Sequence, residues 1–477
     1  ITTIKDSCFS GCIKLSTITF PSLVTIGDNA FSGIETITEV DFENVKTVGL
    51  SAYQNCIKLK TVVLNSCQSI DAFSFRYCNE LTRVEMPELR SISYAAFSDT
   101  GLTSIDFPKL DSLNIGTVDG NKNVGGQFMN CKYLESVNAP LVSKLTNKMF
   151  YGCSKLNKLE MENVEIIEPH SIGSCPNLQV LIFPNMKSIS NSLFDTSNCL
   201  VYVQMDSVHT IGDKAFQKCN NLEEVSFLSC TKIGDYAFSE CIKLTSINMP
   251  NLISIGAYSF RQTALEKVEL DNVTQVNQIV IIGKDKGNHF EGCSSLISVS
   301  MKKLTYIRIN MFLNCNNLKD IDFPLVKQIY IDGFRGCKSL ETLTFPVLSK
   351  IGDTAFNGNP GLIEIDLPSV TSIGSSTFAG CTNLKSFSAE NCVSIGSYAF
   401  DGCSKLNSIY FPSLTSIGAF SFRNTALVEV ELNNVTSAEM VSISAKSYGN
   451  QFYGCSLLVS ITMQKLPFIQ IGMFINC

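Results

Sequence analysis

Apolar residues along this chain follow neither the 3.6-residue spacing of a helix nor the strict alternation of a long strand; they recur with a period of 22. An anchor, aromatic in all but one case, falls at Phe9, Phe31, Tyr53, Phe75 and Phe97. It resumes at Phe128, Phe150, Ile172, Phe194, Phe216, Phe238 and Phe260, then at Phe290, Phe312, Phe334, Phe356, Phe378, Phe400 and Phe422, and ends at Phe452 and Phe474, 21 anchors in all. Counted from an anchor, Cys or Thr tends to stand at +3, Leu at +6, Val or Ile at +9, an apolar residue at +11, Pro at +12, Leu or Val at +14, Ile at +17 and Gly at +18. In the unit that runs from Phe238 to Ser259, Leu244 to Met249 alternates as a short strand, and Pro250 removes a donor and ends it. Gly256 then predicts a tight turn and a helical or 3₁₀ fragment that drops Phe260 into the interior.

Such a unit cannot bury its apolar face alone, so like side chains must stack coil upon coil. The expected fold is a single right-handed solenoid over 1–477, with about 21 coils of 22 residues, one short parallel strand per coil, and turns or 3₁₀ segments on the convex side. A longer period overlies the first. Anchor spacing widens from Phe97 to Phe128, from Phe260 to Phe290 and from Phe422 to Phe452, which divides the chain into seven-coil super-repeats at 1–127 (partial), 128–289, 290–451 and 452–477 (partial). In the widened units Leu102, Leu265 and Leu427 arrive one residue early, and Asn114–Gln127, Asn277–His289 and Ala438–Gln451 are expected to leave as surface loops. Structural interruption and ligand contact are both open roles for them.

The units AFSECIKLTSINMPNLISIG, AFDGCSKLNSIYFPSLTSIG and GFRGCKSLETLTFPVLSKIG resemble the BspA-like, Treponema-type leucine-rich repeat, with an IG turn, AF, then C, L, I and P. The usual family unit is one residue longer, and the three insertions depart from it. The resemblance implies an extracellular or cell-surface protein concerned with adhesion to host matrix proteins, host cells or other microbes; it specifies no ligand.

Composition narrows the partners. Apolar residues make up 45% and charged residues 17% of the chain, enough for a core and too little charge for disorder. A net charge of −6 argues against a phosphate-backbone binder, so nucleic acid is not an expected partner. The longest uncharged stretch, Leu367 to Leu384, is broken by Pro368, Gly374 and Gly380, so no membrane span is expected. The start at Ile1 and the stop in mid-pattern at Cys477 suggest a piece of a longer protein.

Fifteen of the 20 cysteines hold the +3 place, which predicts a buried ladder of free thiols acting as small apolar residues rather than a disulfide framework or zinc sites. Thr100, Ser197, Thr263, Asn359 and Thr425 replace them with small hydrogen-bonding residues. His170, His209 and His289 lie in different coils and are expected at the surface or in loops, without metal or nucleophile pairing. No phosphate-binding glycine loop or nucleophile elbow is present, so neither an enzyme nor a cofactor is expected.

The outward strand positions, +8 and +10, repeatedly carry charge: Glu39 and Asp41, Arg83 and Glu85, Asp320 and Asp322, Glu364 and Asp366, with shifted Lys267 and Glu269, and Glu429 and Glu431. They form either a solvated face or a binding stripe for a basic protein segment or Ca²⁺, although no D-x-D-x-D-G loop supports calcium. Matching sequons at Asn272 and Asn434 follow from duplication of the block. Two functions remain: a monomeric adhesin-type protein that binds a protein ligand along an extended surface, and a spacer or self-associating stalk with no ligand of its own.

Overall fold

Every coil has to place two kinds of backbone in register with the next: strands, whose N–H groups point sideways, and turns, whose N–H groups ordinarily point back along their own chain. The computed structural model describes residues 1–118, 121–281, 284–443 and 446–477; the rest of each insertion lies outside the described residues. The chain forms a parallel β-solenoid of about 19 turns, with no helix among the described residues. Two compact units are resolved, one of Ile1–Thr210 with Asn221–Leu228, the other of Ile211–Asn220 with Ser229–Cys477.

Most regular coils contribute two strands where the period predicted one; those of Phe9 and Phe334 lack the three-residue strand. In the first unit the three-residue strands Glu39–Asp41, Thr61–Val63 and Arg83–Glu85 pair in parallel, one residue opposite its counterpart 22 later. The two-residue strands Thr3–Ile4, Thr25–Ile26, Thr47–Val48, Ser69–Ile70, Ser91–Ile92 and Ser112–Leu113 make a second parallel ladder. In the second unit Lys267–Glu269, Ser298–Ser300 and Asp320–Asp322 pair likewise, as do Glu364–Asp366, Ser386–Ser388 and Ser408–Tyr410. The middle residue of these strands faces the core and its neighbours face out, the period-two consequence of the pleat.

The turn at each anchor is neither helical nor 3₁₀. Residues two before and two after the anchor are left-handed, as at Ser51 (φ 51°) and Asn55 (φ 63°) around Tyr53, or Tyr258 (φ 59°) and Gln262 (φ 56°) around Phe260. Each left-handed residue turns the following peptide plane, so alternate N–H groups leave the turn. Those of Ser51, Tyr53 and Asn55 donate to the carbonyls of Ala72, Ser74 and Arg76 in the next coil at 2.8–2.9 Å, while those of Ala52, Gln54 and Cys56 stay within their own turn. A 3₁₀ segment would have directed every N–H back along its own chain and left the turns unjoined. Gly256, expected to serve a tight turn, answers instead to close approach: a Cβ there would lie 2.3 Å from the carbonyl carbon of Gly234.

Inside, the anchor rings stack. Phe9, Phe31, Tyr53, Phe75, Phe97, Phe128 and Phe150 follow one another at 5.0–5.7 Å between centroids in the first unit. Phe216, Phe238, Phe260, Phe290 and Phe312 do so in the second at 5.1–5.5 Å. The cysteines are free thiols, and their ladder has a polar purpose. Cys56 Sγ donates to the Phe31 carbonyl and Cys78 Sγ to that of Tyr53, both at 3.2 Å, satisfying the anchor carbonyl of the coil below. In the widened coil Thr100 donates to its own Phe97 carbonyl at 2.9 Å beside Cys131, and Asn359 serves the Phe334 carbonyl at 3.0 Å. Burial pushes the thiols of Cys56, Cys67 and Cys230 up to about 12.

The three insertions are antiparallel hairpins rather than irregular loops: Gly116–Val118 with Asn121–Val124, Ile279–Ile281 with Lys284–Lys286, and Val441–Ile443 with Lys446–Tyr448. Their last residues, Gln127, His289 and Gln451, are fully buried. Gln127 Nε2 donates to the Asn114 carbonyl at 3.2 Å and Gln451 Nε2 to that of Glu439 at 2.7 Å, which ties down the hairpin base. His289 occupies the same place beneath Asn277. This corrects its assignment to the surface; His170 and His209 are exposed as expected.

Candidate functional site on the strand face

Outward positions of the three-residue strands are displayed by a core that does not need them, so their chemistry is free to serve recognition. Glu39, Asp41 and Arg83 are exposed and Glu85 is half-buried. Register places Glu39, Thr61 and Arg83 in one row and Asp41, Val63 and Glu85 in the next. The Arg83 guanidinium turns along its own strand to pair with Glu85.

In the second unit the rows are Lys267, Ser298, Asp320 and Glu269, Ser300, Asp322. Lys267 Nζ pairs with Glu269 at 2.6 Å, and the six side chains border a shallow recess of about 170 Å³. Beside it Lys302 Nζ lies 2.8 Å from Asp271, which also accepts the Ser300 hydroxyl. Partial burial opposes ionisation of Asp271, but Lys302 and Ser300 outweigh it and hold the carboxyl below its usual range. Further along, Glu364 shares a row with Ser386 and Ser408, Asp366 with Ser388 and Tyr410, Glu429 with Ser460, and Glu431 with Thr462.

Within each unit the predicted residues therefore point outward, but their acids do not run as an unbroken stripe. Hydroxyls or Val63 separate them along the rows, and Arg83 and Lys267 neutralise neighbours. Charge counting also overlooked apolar occupants of the same positions, Val180 and Ile182, exposed on one strand. Their offsets of +8 and +10 were the available signal. A second missed feature sits on the turns, where Arg76 lies over the rings of Phe73 and Tyr77 at 5.2 and 4.5 Å, and Arg423 over Tyr398 and Phe420 at 5.3 and 5.2 Å while bonded to Asp401. Among the described residues no group of three or more His, Cys, Asp or Glu is placed to hold a metal ion, and no helix is long and apolar enough to cross a membrane.

Stacked parallel coils with an apolar ladder inside and variable side chains on the strands define a leucine-rich-repeat solenoid, a class that typically serves as a binding scaffold without catalysis. The chain belongs to the BspA-type leucine-rich-repeat family, whose model matches residues 2–123, 122–223, 209–340, 325–427 and 371–477. No curated protein matches the chain. Among solved structures it is similar to a leucine-rich repeat protein from Bacteroides ovatus (20% identity, 77% of this chain and 88% of that one, TM-score 0.45). It is also similar to a leucine-rich cell surface protein from Faecalibacterium prausnitzii (20%, 86% and 88%, 0.28) and to the T. pallidum leucine-rich repeat protein (19%, 43% and 77%, 0.28). At these identities and scores none of the three bears on function.

Proposed function

We propose that this chain is an extracellular or cell-surface binding protein that holds a protein ligand, such as a host matrix or cell-surface protein, across its outward strand positions. The observation that carries this reading is the row pair Lys267–Ser298–Asp320 and Glu269–Ser300–Asp322, where six polar side chains stand in register on a rigid ladder. Repetition of such rows gives many weak contacts whose sum replaces a deep pocket. Membership of the BspA-type family supports the surface location. Immobilised matrix proteins and basic peptides are the probes; combined Asp320→Lys, Asp322→Lys, Glu364→Lys and Asp366→Lys is expected to weaken a hit at least tenfold. A hit that is indifferent to these changes removes the strand face from the reading.

A second reading, a spacer or self-associating stalk, is favoured by the ion pairs Arg83–Glu85 and Lys267–Glu269, in which the face satisfies its own charges. Sedimentation from 1 to about 100 µM distinguishes it: a monomer throughout excludes self-association.

A further inference from the structure

Within the first unit both strand ladders break at one place that no hairpin explains, although Asn185 Nδ2 still donates across it to the Glu162 carbonyl and to Asn163 Oδ1, each at 3.1 Å. Lys158–Glu160 does not pair with Val180–Ile182, nor Ile166–Ile167 with Ser188–Ile189, although Val180–Ile182 pairs normally with Tyr202–Gln204 one coil on. The turns behave alike. Phe128 and Asn130 donate to Met149 and Tyr151 at 3.0 and 2.8 Å, and Phe150 and Gly152 to Ser171 and Gly173 at 2.7 and 2.9 Å. Among the described residues no such bond joins Ile172 to Leu193 or Ser174 to Asp195. A cleft of about 690 Å³ opens there, with Ile172, Ser174 and Cys175 on one wall and Leu193, Phe194 and Asp195 on the other.

Local sequence accounts for the opening. Ile172 is the single anchor without a ring. Leu193 stands immediately before its anchor, where Ala30, Ala52, Ala96, Ala215 and Ala237 fit between coils elsewhere, and it is only half-buried.

We propose that this cleft is a peptide-binding slot that takes an extended polypeptide segment of a partner protein between the two coils. The missing ladder dictates the occupant. One wall presents the N–H groups of Ile172 and Ser174, which leave the left-handed turn as their counterparts do in joined coils, and the other presents the Leu193 carbonyl. A polypeptide main chain offers acceptors to the first and donors to the second, as the neighbouring coil does where the turns are joined. An apolar side chain of the segment fills the room above Ile172 that a phenyl ring occupies in other coils, against Phe194. The volume lies within the range of ligand sites. This slot is separate from the strand face and stands or falls without it.

The test uses the whole chain and an acetylated, amidated nonapeptide of alternating Ser and Thr with a central Phe, alongside the same peptide N-methylated at alternate residues. Hydrogen exchange by mass spectrometry should find the Ile172 and Ser174 amides exchanging at least tenfold faster than those of Phe150 and Gly152 in the free protein. The peptide at 1 mM should slow them at least tenfold, and the N-methylated form should not. Ile172→Phe should reduce peptide binding at least tenfold; the N-methyl comparison needs no variant and stands even if that one misfolds. Equal protection at Phe150 and Ile172 in the free protein overturns the slot. So does equal binding of both peptides, which indicates a merely apolar cleft, or no change at 1 mM.

Discussion

Acidification should loosen the middle hairpin selectively, through His289. Its ring is fully buried, and neither nitrogen reaches a hydrogen-bond partner. Burial drives its pKa from the ordinary 6.5 down to about 3, the nearby Asn277 carbonyl opposing and Arg308 adding a smaller repulsion. In the unfolded chain the ring takes up a proton as pH falls through 6.5, whereas in the folded chain it stays neutral until about pH 3. The stability held by the neutral ring is therefore complete above pH 6.5 and is lost progressively between 6.5 and 3. At pH 5 the loss is 1.5 units of about 1.4 kcal/mol each, or about 2 kcal/mol; at pH 4 it reaches about 3 kcal/mol. Because repeat arrays need not unfold in one step, the readout is local hydrogen exchange across 277–312, with 114–150 as the internal control carrying Gln127. Opening at 277–312 should become roughly 30-fold more frequent relative to the control between pH 7 and pH 5. His289→Gln, which supplies an amide able to reach Asn277 as Gln127 reaches Asn114, should abolish the difference. Unchanged pH dependence in that variant, or a His289 resonance titrating near pH 6.5, refutes the reasoning.

Other outcomes follow from the stacking. Gly256→Ala should destabilise by about 1–3 kcal/mol, read from urea unfolding, since its methyl group would meet the Gly234 backbone. With buried thiols lifted to about 12, a disulfide reagent at pH 8 should label the exposed Cys8, Cys12 and Cys477 in the native protein and reach Cys56, Cys67 and Cys230 only after denaturation. Asp320→Lys and Asp322→Lys, on exposed positions, should alter stability by less than about 0.5 kcal/mol, so any change in ligand binding reports on the face itself.

Much of the architecture was legible because Phe, Leu, Ile and Cys repeat at fixed offsets and each offset meets one environment. The two-residue strand was not, since Ser254–Ile255 is too short to show an alternation. The left-handed residues were also hidden: the positions beside each anchor accept Lys148, Asp332 and Tyr398 as readily as Asn29, because the ladder to the next coil enforces the conformation regardless of preference. His289 read as a loop residue because its burial depends on where the hairpin returns, a distance the spacing does not encode. On the strand face, exposure of Glu364 and Asp366 followed from the two-residue period. What stands beside them follows from register 22 residues away, so the dilution of the acids by Ser386 and Ser388 went unread.

The ladder of two-residue strands is interrupted wherever a hairpin leaves, and between the second and third hairpins it runs without a break from Tyr306–Ile307 to Ser437–Ala438. A pull applied along this stretch is shared by consecutive interfaces of the same kind, whereas at each hairpin one of the coil's fastenings is missing. Rupture under flow or tension should begin at those seams and at the opening between Ile172 and Leu193, and release whole runs of coils at once, giving a sawtooth record whose long steps mark these places.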